Sequence, residues 1–357
     1  MFARNAWYVA AHAQEVDGEA LFSRTLLGEP VLLYRTMDGD IAAMSDRCSH
    51  RSAPLHLGKR SGDAVTCPYH GLVYDKTGAC VSSPHGDGLI PPTALQRAFR
   101  AIERYGLIWI WMGEGARADP VLIPDYGFLS AASPDAVFSG YLHSQGNYLL
   151  MIDNILDLSH ADFLHPGFLG TQNAVTAQRP KVSESQRGFR VAWQFDDSPT
   201  MAIFAPAMQG IERTDGWLWV DWEPAGSMKL HSGVTRSGQP REDGVSLTAM
   251  HCMTPETEKT THYFYAVTRD FMIDPKTNAL MAHLTKQAFA TEDKPMIEAV
   301  QRYMGNDEFW SLKPAILSSD VAAVRARRAI EKLVREERKQ HEECSPESAF
   351  ESDDFPR

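Results

Sequence analysis

Two short loops constrain this chain more than any other feature. Cys48-Ser49-His50 is followed, sixteen residues later, by Cys67-Pro68-Tyr69-His70. Each segment offers one thiol and one imidazole from a tight loop. Four such side chains that converge can hold a two-iron, two-sulfide cluster, with both thiolates on one iron and both imidazoles on the other. Neutral imidazole donates less charge than thiolate, so such a cluster sits at roughly −150 to +300 mV, above all-thiolate ones. The competing use of two cysteines and two histidines is a tetrahedral zinc site. Zinc modules usually run Cys-x-x-Cys and then His-x-x-x-His, an order these loops do not follow. Gly71, directly after His70, suits a loop whose backbone must crowd a cluster.

Around these loops the first third of the chain reads as strands and turns. Pro30 to Arg35 is a compact apolar strand, Asp38-Gly39 is a hairpin turn, and Ile41 to Met44 returns into the first loop. Val65-Thr66 feeds the second loop, and Leu72 to Asp75 leaves it toward a turn at Lys76-Thr77-Gly78. Tyr105 to Met112 is a near-continuous apolar run, expected as a strand buried on both faces. Short strands at this spacing predict a small β-sandwich or barrel. Gly, Asp-Pro and Pro-Asp signals between Gly113 and Asp125 mark a linker. A second domain follows. It opens with a strand from Ala136 to Gln145 and a helix from about Asn147 to His165, which Pro166 ends. Further strands are expected at Gly216–Glu223, Ser246–Thr254 and His262–Thr268, and helices near Lys276–Met304, with a break, and Ser319–Gln340. From His341 onward the chain carries six acids and one arginine and is expected to be a mobile tail.

The helix expected at 147–165 holds a second constellation, Asn154-x-x-Asp157-x-x-His160-x-x-x-x-His165. Two imidazoles and one carboxylate on one side of a metal leave the opposite positions open, the usual ligand set of oxygen-activating non-haem Fe(II). On an ideal helix a spacing of five turns two side chains well off one face. His160 and His165 converge only if the helix bends or frays at its end; otherwise they are ordinary helix-end histidines.

Taken together, these residues resemble the Rieske non-haem iron oxygenases, over nearly the whole chain. That family's cluster loops read C-x-H-R and C-x-Y-H-G, matched by Cys48-Ser49-His50-Arg51 and Cys67-Pro68-Tyr69-His70-Gly71. Respiratory Rieske proteins carry an extra cysteine in each loop, and Tyr69 occupies one of those positions here. Leu72 stands where many ring-hydroxylating members have Trp. The N-x-x-D-x-x-H-x-x-x-x-H stretch also matches residue for residue. The resemblance implies that His160 and His165 bind the mononuclear iron. It implies Asp293, in Glu292-Asp293-Lys294-Pro295-Met296-Ile297-Glu298-Ala299, as the third ligand, with Glu292 the nearest rival. It implies that Asp157 bridges an iron-ligand histidine to a cluster histidine of a neighbouring subunit, orienting both rings and offering an electron route, and that Asn154 sits close to the iron. Asn5 to Ala10, Pro84 to Gly88, His251 to Thr257 and Thr261 to Phe264 are similar to the aryl demethylase branch, typified by the vanillate and dicamba demethylases. In that branch the histidine before T-P-E-T reaches a substrate carboxylate, so His251 is a pocket residue, with His231 a second candidate.

The implied fold is α+β: an N-terminal all-β Rieske [2Fe-2S] domain (1–115), a linker (116–127), a C-terminal α+β catalytic domain with an antiparallel sheet and helices (128–342), and an acidic tail (343–357). The implied activity is that of the terminal oxygenase component of a monooxygenase. It would take O2 and reductase-supplied electrons, hydroxylate the methyl of a methoxylated aromatic acid, and release formaldehyde. The implied cofactors are the Rieske cluster and mononuclear Fe(II), and the implied assembly is a homotrimer. No Gly-x-Gly-x-x-Gly opens a βαβ unit, so electrons are expected from a partner, in this family an NADH-dependent flavin and ferredoxin-type reductase. Ring or methyl hydroxylation without loss of carbon is the alternative. An electron carrier or redox sensor is the rival of another class, and 357 residues exceed what a carrier needs. A net charge of −11 argues against nucleic acid. No apolar run reaches the ~18 residues of a membrane span, and residues 1–20 lack the features of a secretory signal. Beyond the cluster pair, Cys80, Cys252 and Cys344 are expected as plain thiols in a reducing cytoplasm.

Overall fold

The computed structural model describes residues 2–165 and 167–343. The expectations for Pro166, Cys344 and the acidic tail beyond Glu343 lie outside them. Ten short strands build the N-terminal part. They are β1 (Trp7–His12), β2 (Phe22–Leu26), β3 (Glu29–Arg35), β4 (Ile41–Ser45), β5 (Lys59–Ser61), β6 (Ala64–Thr66), β7 (Val73–Tyr74), β8 (Cys80–Ser82), β9 (Arg100–Arg104) and β10 (Leu107–Trp111). They form three antiparallel sheets, β2-β3-β4, β5-β6-β7-β8 and β1-β10-β9. The β3–β4 hairpin turns at Gly39, with φ +88°, as Asp38-Gly39 requires. The expected strand at 105–112 begins two residues later. Tyr105 and Gly106 both have positive φ (59° and 72°) and make the two-residue turn between β9 and β10. Every residue of β10 is buried, as its unbroken apolar run requires.

The second part is a seven-stranded antiparallel sheet in the order β11-β17-β16-β15-β14-β13-β12. Its strands are β11 (Val137–Ser144), β12 (Lys181–Glu184), β13 (Phe189–Pro199), β14 (Arg213–Glu223), β15 (Ser227–Arg236), β16 (Val245–Thr257) and β17 (Thr260–Arg269). The period of two divides each strand between faces. On one face Leu142, Tyr263, Met253, Ala249, Leu230, Val220 and Val191 join the large core with the helices. On the other, Met250, Cys252, Phe264 and Ala266 pack against Trp7, Val9, Trp109 and Trp111 of the first domain. Hydrogen bonds stitch that seam: Leu27 N donates to Pro255 O and Gly28 N to Glu256 O, both at 2.8 Å, and Thr254 Oγ1 donates to Val9 O at 2.8 Å.

β12, β13 and β15 are strands that the sequence reading did not assign. In β13, buried Phe189, Val191, Trp193 and Phe195 alternate with more exposed residues, a period-two signal present in the sequence.

The helix expected from Asn147 to His165 is three pieces: α1 (Tyr148–Leu156), a 3-10 turn (Leu158–His160) and α2 (Ala161–Leu164). Asn147 caps α1 by accepting from Leu149 N at 2.8 Å. Asp157 breaks the run with φ −120° and ψ 89°, and its carboxylate caps the next turn by accepting from Ser159 N at 3.0 Å. The break expected near Lys276–Met304 is a π-turn, Ala288–Asp293, between α3 (Pro275–Gln287) and α4 (Lys294–Met304). Pro295 has no N–H to give the helix, and its ring crowds the preceding turn. Widening that turn relieves both, and such π-turns recur at functional sites. The last helix, α5 (Val321–Glu343), is tied to α1 through Arg327, whose Nε lies 2.9 Å from Asp153 Oδ2. Its Glu337 carboxylate accepts from Arg4 N and Asn5 N at 2.8 and 2.7 Å. No helix among the described residues is long and apolar enough to cross a membrane.

Candidate metal centres

The two loops of the first domain converge. In the first, Cys48 N donates to Ala53 O at 2.9 Å and Ser52 N to Cys48 O at 2.8 Å. In the second, Cys67 N donates to Leu72 O at 2.8 Å and Gly71 N to Cys67 O at 3.1 Å. Gly71 has φ +74°, and a Cβ there would stand 3.0 Å from Pro84 Cγ. Only glycine closes this loop without strain. Both thiols are buried, in one small core with Val65, Leu72 and Tyr74. Burial pushes the Cys67 thiol up, while the amides of Tyr69 and His70 hydrogen-bond its sulfur and pull the other way. The His50 and His70 rings lie together on the solvent side, with centroids 4.5 Å apart. Sulfurs inward with amides aimed at them, and imidazoles outward, are a donor set suited to a [2Fe-2S] cluster.

The second centre is assembled by the irregular backbone. The chain leaves helical geometry at Asp157, before His160, and again at His165 (φ −120°, ψ 58°), where the two rings meet, and the end of the π-turn brings Asp293 against both. His165 Nε2 lies 3.1 Å and His160 Nε2 3.4 Å from the same oxygen, Asp293 Oδ1. The three ligand atoms all lie within 4.8 Å of one another, a group able to hold a metal ion. The opposite ring nitrogens are held. His160 Nδ1 is 2.6 Å from Asp157 O, and His165 Nδ1 is 2.5 Å from Glu292 Oε2. Each partner is an acceptor, so each Nδ1 carries the proton and each Nε2 faces the metal position. Burial disfavours charge on His165, but the Asp293 and Glu292 carboxylates outweigh it and hold its pKa above the ordinary imidazole value. Burial likewise opposes ionisation of Asp293, and without a metal the two imidazoles, when they carry a second proton on Nε2, donate to it and overcome that cost, so the carboxyl stays well below its usual range.

Asn154 completes the group. Its Nδ2 donates to Asp293 Oδ1 at 3.0 Å and lies 3.3 Å from His160 Nε2. Glu292, the rival ligand by sequence, instead supports His165 from outside. Asp157 contributes its backbone carbonyl to His160 and its carboxylate to the Ser159 cap within this chain. A cavity of about 10 Å3, the size of one water, abuts the group between Asn154, Asp293, Met151, Met253, Tyr263 and Phe289.

His251, on β16, faces the same side of the sheet as Tyr263 and Met253. It is 2 % exposed, and its Nδ1 lies 2.7 Å from Tyr263 Oη, while its Nε2 has no protein partner. Burial pushes its pKa down to about 4, so the ring is neutral. His231 is not brought to this site. In the missed strand β15 it pairs with Thr248 and so lies on the opposite face from His251. There its ring stacks on Trp219 at 4.4 Å, and its Nδ1 lies 2.8 Å from Thr248 Oγ1. Glu292, named by sequence only as a rival metal ligand, supports His165 instead. Tyr263 and Phe289 shape the site without having been given a role by sequence, because their strand and helix patterns place them only as core.

A [2Fe-2S] module joined to a two-histidine, one-carboxylate module is the architecture of a Rieske non-haem iron oxygenase component. Residues 6–94 match the Rieske [2Fe-2S] domain, and residues 144–336 match the vanillate O-demethylase oxygenase C-terminal domain. The chain is 41% identical over 340 residues to the oxygenase component of chloroacetanilide N-alkylformylase of Rhizorhabdus wittichii, covering 94% of this chain and 97% of that one. It is 38% identical over 334 residues to the oxygenase component of dicamba O-demethylase of Stenotrophomonas maltophilia, covering 93% and 98%. The crystal structure of dicamba monooxygenase bound to 3,6-dichlorosalicylic acid superimposes with a TM-score of 0.86 at 37% identity, over 94% of this chain and 99% of that one. The chain belongs to the Rieske non-haem iron oxygenases, in the branch of the vanillate and dicamba O-demethylase oxygenase components. As an oxygenase component it works with a separate reductase, on an aromatic substrate and O2.

Proposed function

We propose that this oxygenase O-demethylates a methoxylated aromatic acid. The observation that carries this reading is the buried His251, whose one unpartnered nitrogen stands on the same sheet face as the residues walling Asp293. His160, His165 and Asp293 would hold mononuclear iron, and Cys48, His50, Cys67 and His70 the cluster; when bound, these supply electron storage and oxygen activation. Asn154 and Glu292 fix the orientations of Asp293 and His165. A neutral His251 donates Nε2–H to the substrate carboxylate and anchors the far end of the ring. Met151, Ile155, Met253, Phe289 and Ile297 supply an apolar wall that excludes water; methionine re-packs readily to admit a ring. Holding a methoxy carbon, rather than a ring carbon, nearest the metal is worth many kcal/mol of barrier. Hydroxylation of that carbon gives a hemiacetal, which collapses to a phenol and formaldehyde unaided.

The reductase is proposed to be an NADH-dependent flavin and ferredoxin type. The domains are taken as 1–115, a linker at 116–127, and 128–342. The active assembly is proposed to be a homotrimeric head-to-tail ring with Asp157 bridging between subunits. Two exposed apolar surfaces support the ring. Leu57, Tyr69, Val81 and Leu89 belong to the cluster domain, and Phe163, Met296, Val300 and Tyr303 lie on the helices that carry the iron ligands. A second copy brings one against the other, with a heterologous contact that closes.

The test is turnover of a methoxybenzoate of the vanillate kind with a surrogate reductase, following NADH, phenol and formaldehyde. Equal formaldehyde and phenol are expected. Inert methoxybenzoates, with an unmethylated aromatic acid turned over to a hydroxylated product, would move the assignment to hydroxylation without loss of carbon. A second reading, attack on an N-alkyl carbon, is favoured by the 41% identical relative named for that chemistry; turnover of an N-alkyl anilide alone would select it.

A further inference from the structure

We infer that Asp162 is a positioning residue for the mononuclear metal: its carboxylate fastens the short helix between His160 and His165 to the core through Thr171 and Thr176. The inference rests on the assignment of His160, His165 and Asp293 as metal ligands. That helix, α2, has four residues, with His160 as its N-cap and His165 as its C-cap. Isolated helices shorter than about 12 residues are marginal in water, so α2 does not hold two imidazoles in place by its own hydrogen bonds. Packing adds little, since Ala161 is its one buried residue and Phe163 is 75% exposed.

Asp162 supplies what the helix lacks. Thr171 N and Thr171 Oγ1 donate to Asp162 Oδ1 at 2.9 and 2.6 Å. Thr176 N and Thr176 Oγ1 donate to Asp162 Oδ2 at 3.3 and 2.5 Å. Each carboxylate oxygen thus takes the amide and the hydroxyl of one threonine, and hydrogen bonds to a charged acceptor are the stronger kind. The tether reaches the interior. Thr171 is buried, Val175 N donates to Thr171 Oγ1 at 3.2 Å, and Ala174 and Val175 pack in the large core. Asp157 O and Glu292 hold the outer ring nitrogens of His160 and His165 and so fix the turn of each ring. Asp162 fixes the backbone from which both rings hang. Without it, binding a metal would have to order that backbone, and the lost entropy would come out of the affinity. Groups that orient metal ligands from outside are typically worth about 10–100-fold in metal affinity.

The test is the equilibrium loss of mononuclear Fe(II) from the cluster-loaded protein to a chelator, well below the melting temperature, for Asp162→Ala, Thr176→Val and the double variant. Alanine is the best helix former, so α2 itself is not weakened by the first change. Asp162→Ala should raise the dissociation constant for Fe(II) about tenfold, with the EPR signal of the cluster unchanged. Thr176→Val should raise it by less. The double variant should match Asp162→Ala, because the Thr176 hydroxyl acts only through the carboxylate. An Asp162→Ala protein that keeps the parent's Fe(II) affinity overturns the inference, even if it melts earlier, because a merely structural role predicts that result. Additive shifts overturn the route through Thr176. Should Asp162→Ala fail to fold, Thr176→Val decides alone: Thr176 is exposed, and an unchanged Fe(II) affinity there rejects the tether. An unaltered protein that binds no Fe(II) beyond the cluster would reject the ligand assignment, and the inference with it.

Discussion

In the proposed function His251 is the residue on which substrate choice turns, and its protonation state follows from where it sits. The resemblance implied only that this histidine reaches a substrate carboxylate, with no statement of its charge. Burial holds its pKa down to about 4, so above that pH it binds as a neutral donor. A group whose pKa is depressed gains no proton in the neutral range, so KM for the acid should be flat from about pH 5 to 8. A KM that changes with an apparent pKa near the ordinary imidazole value would show that His251 charges in the complex. His251→Ala should raise KM for the acid more than for its amide, because hydrogen bonds to charged groups are worth about twice those to neutral ones. An equal rise for both would remove the carboxylate from this contact. The candidate ligands that the structure brings together were legible at this scale, since spacing and flanking residues mark Cys48, His50, Cys67 and His70 in the two converging loops and His160, His165 and Asp293 in one group able to hold a metal. His231 was misplaced because its strand went unassigned, and strand parity alone decides which face a residue occupies.

Among the elements, the interrupted helix at 148–164 and the π-turn at 288–293 explain how ligands at awkward spacings meet. Sequence showed that the helix must bend or fray at its end for His160 and His165 to meet, and the backbone does leave helical geometry at His165. It did not show the further break at Asp157, because a short polar residue mid-pattern is compatible with either helix or cap. The same carboxylate therefore carries two loads, a cap on Ser159 and the proposed bridge to the neighbouring subunit. Two substitutions separate them. Asp157→Ala should cost about 1 kcal/mol of stability from the lost cap. Asp157→Asn keeps a capping oxygen and should unfold like the parent. Both should retain both metals, accept reduction of the cluster, and turn over orders of magnitude more slowly. Near-normal turnover of the asparagine variant with both metals present would reject the bridge.

Across the whole molecule, the proposed ring makes turnover a property of the assembly. Phe163 is 75% exposed on α2, between the two histidine ligands. Phe163→Asp places a charge in the proposed contact. Sedimentation should show smaller species for this variant, with iron and cluster contents unchanged and turnover lost in proportion to dissociation. A fully active monomer would exclude transfer between subunits. The α+β architecture and the order of the domains were readable from the cluster loops and the second triad. Sheet order was not, because strand neighbours depend on long-range pairing that local pattern does not encode.

The seam between the domains has a consequence for modularity. Trp7, Trp109 and Trp111 bury themselves against Met250, Cys252, Phe264 and Ala266, so the cluster domain borrows part of its interior from the catalytic sheet. Cut free at residue 115, that domain would expose this apolar surface to water, at about 25 cal/mol for every Å2 uncovered. Heat should then melt the intact apoprotein in a single calorimetric transition, whereas two resolved transitions would mark two independent folding units. A chain wired in this way cannot readily lend out its iron–sulfur half as a shuttle.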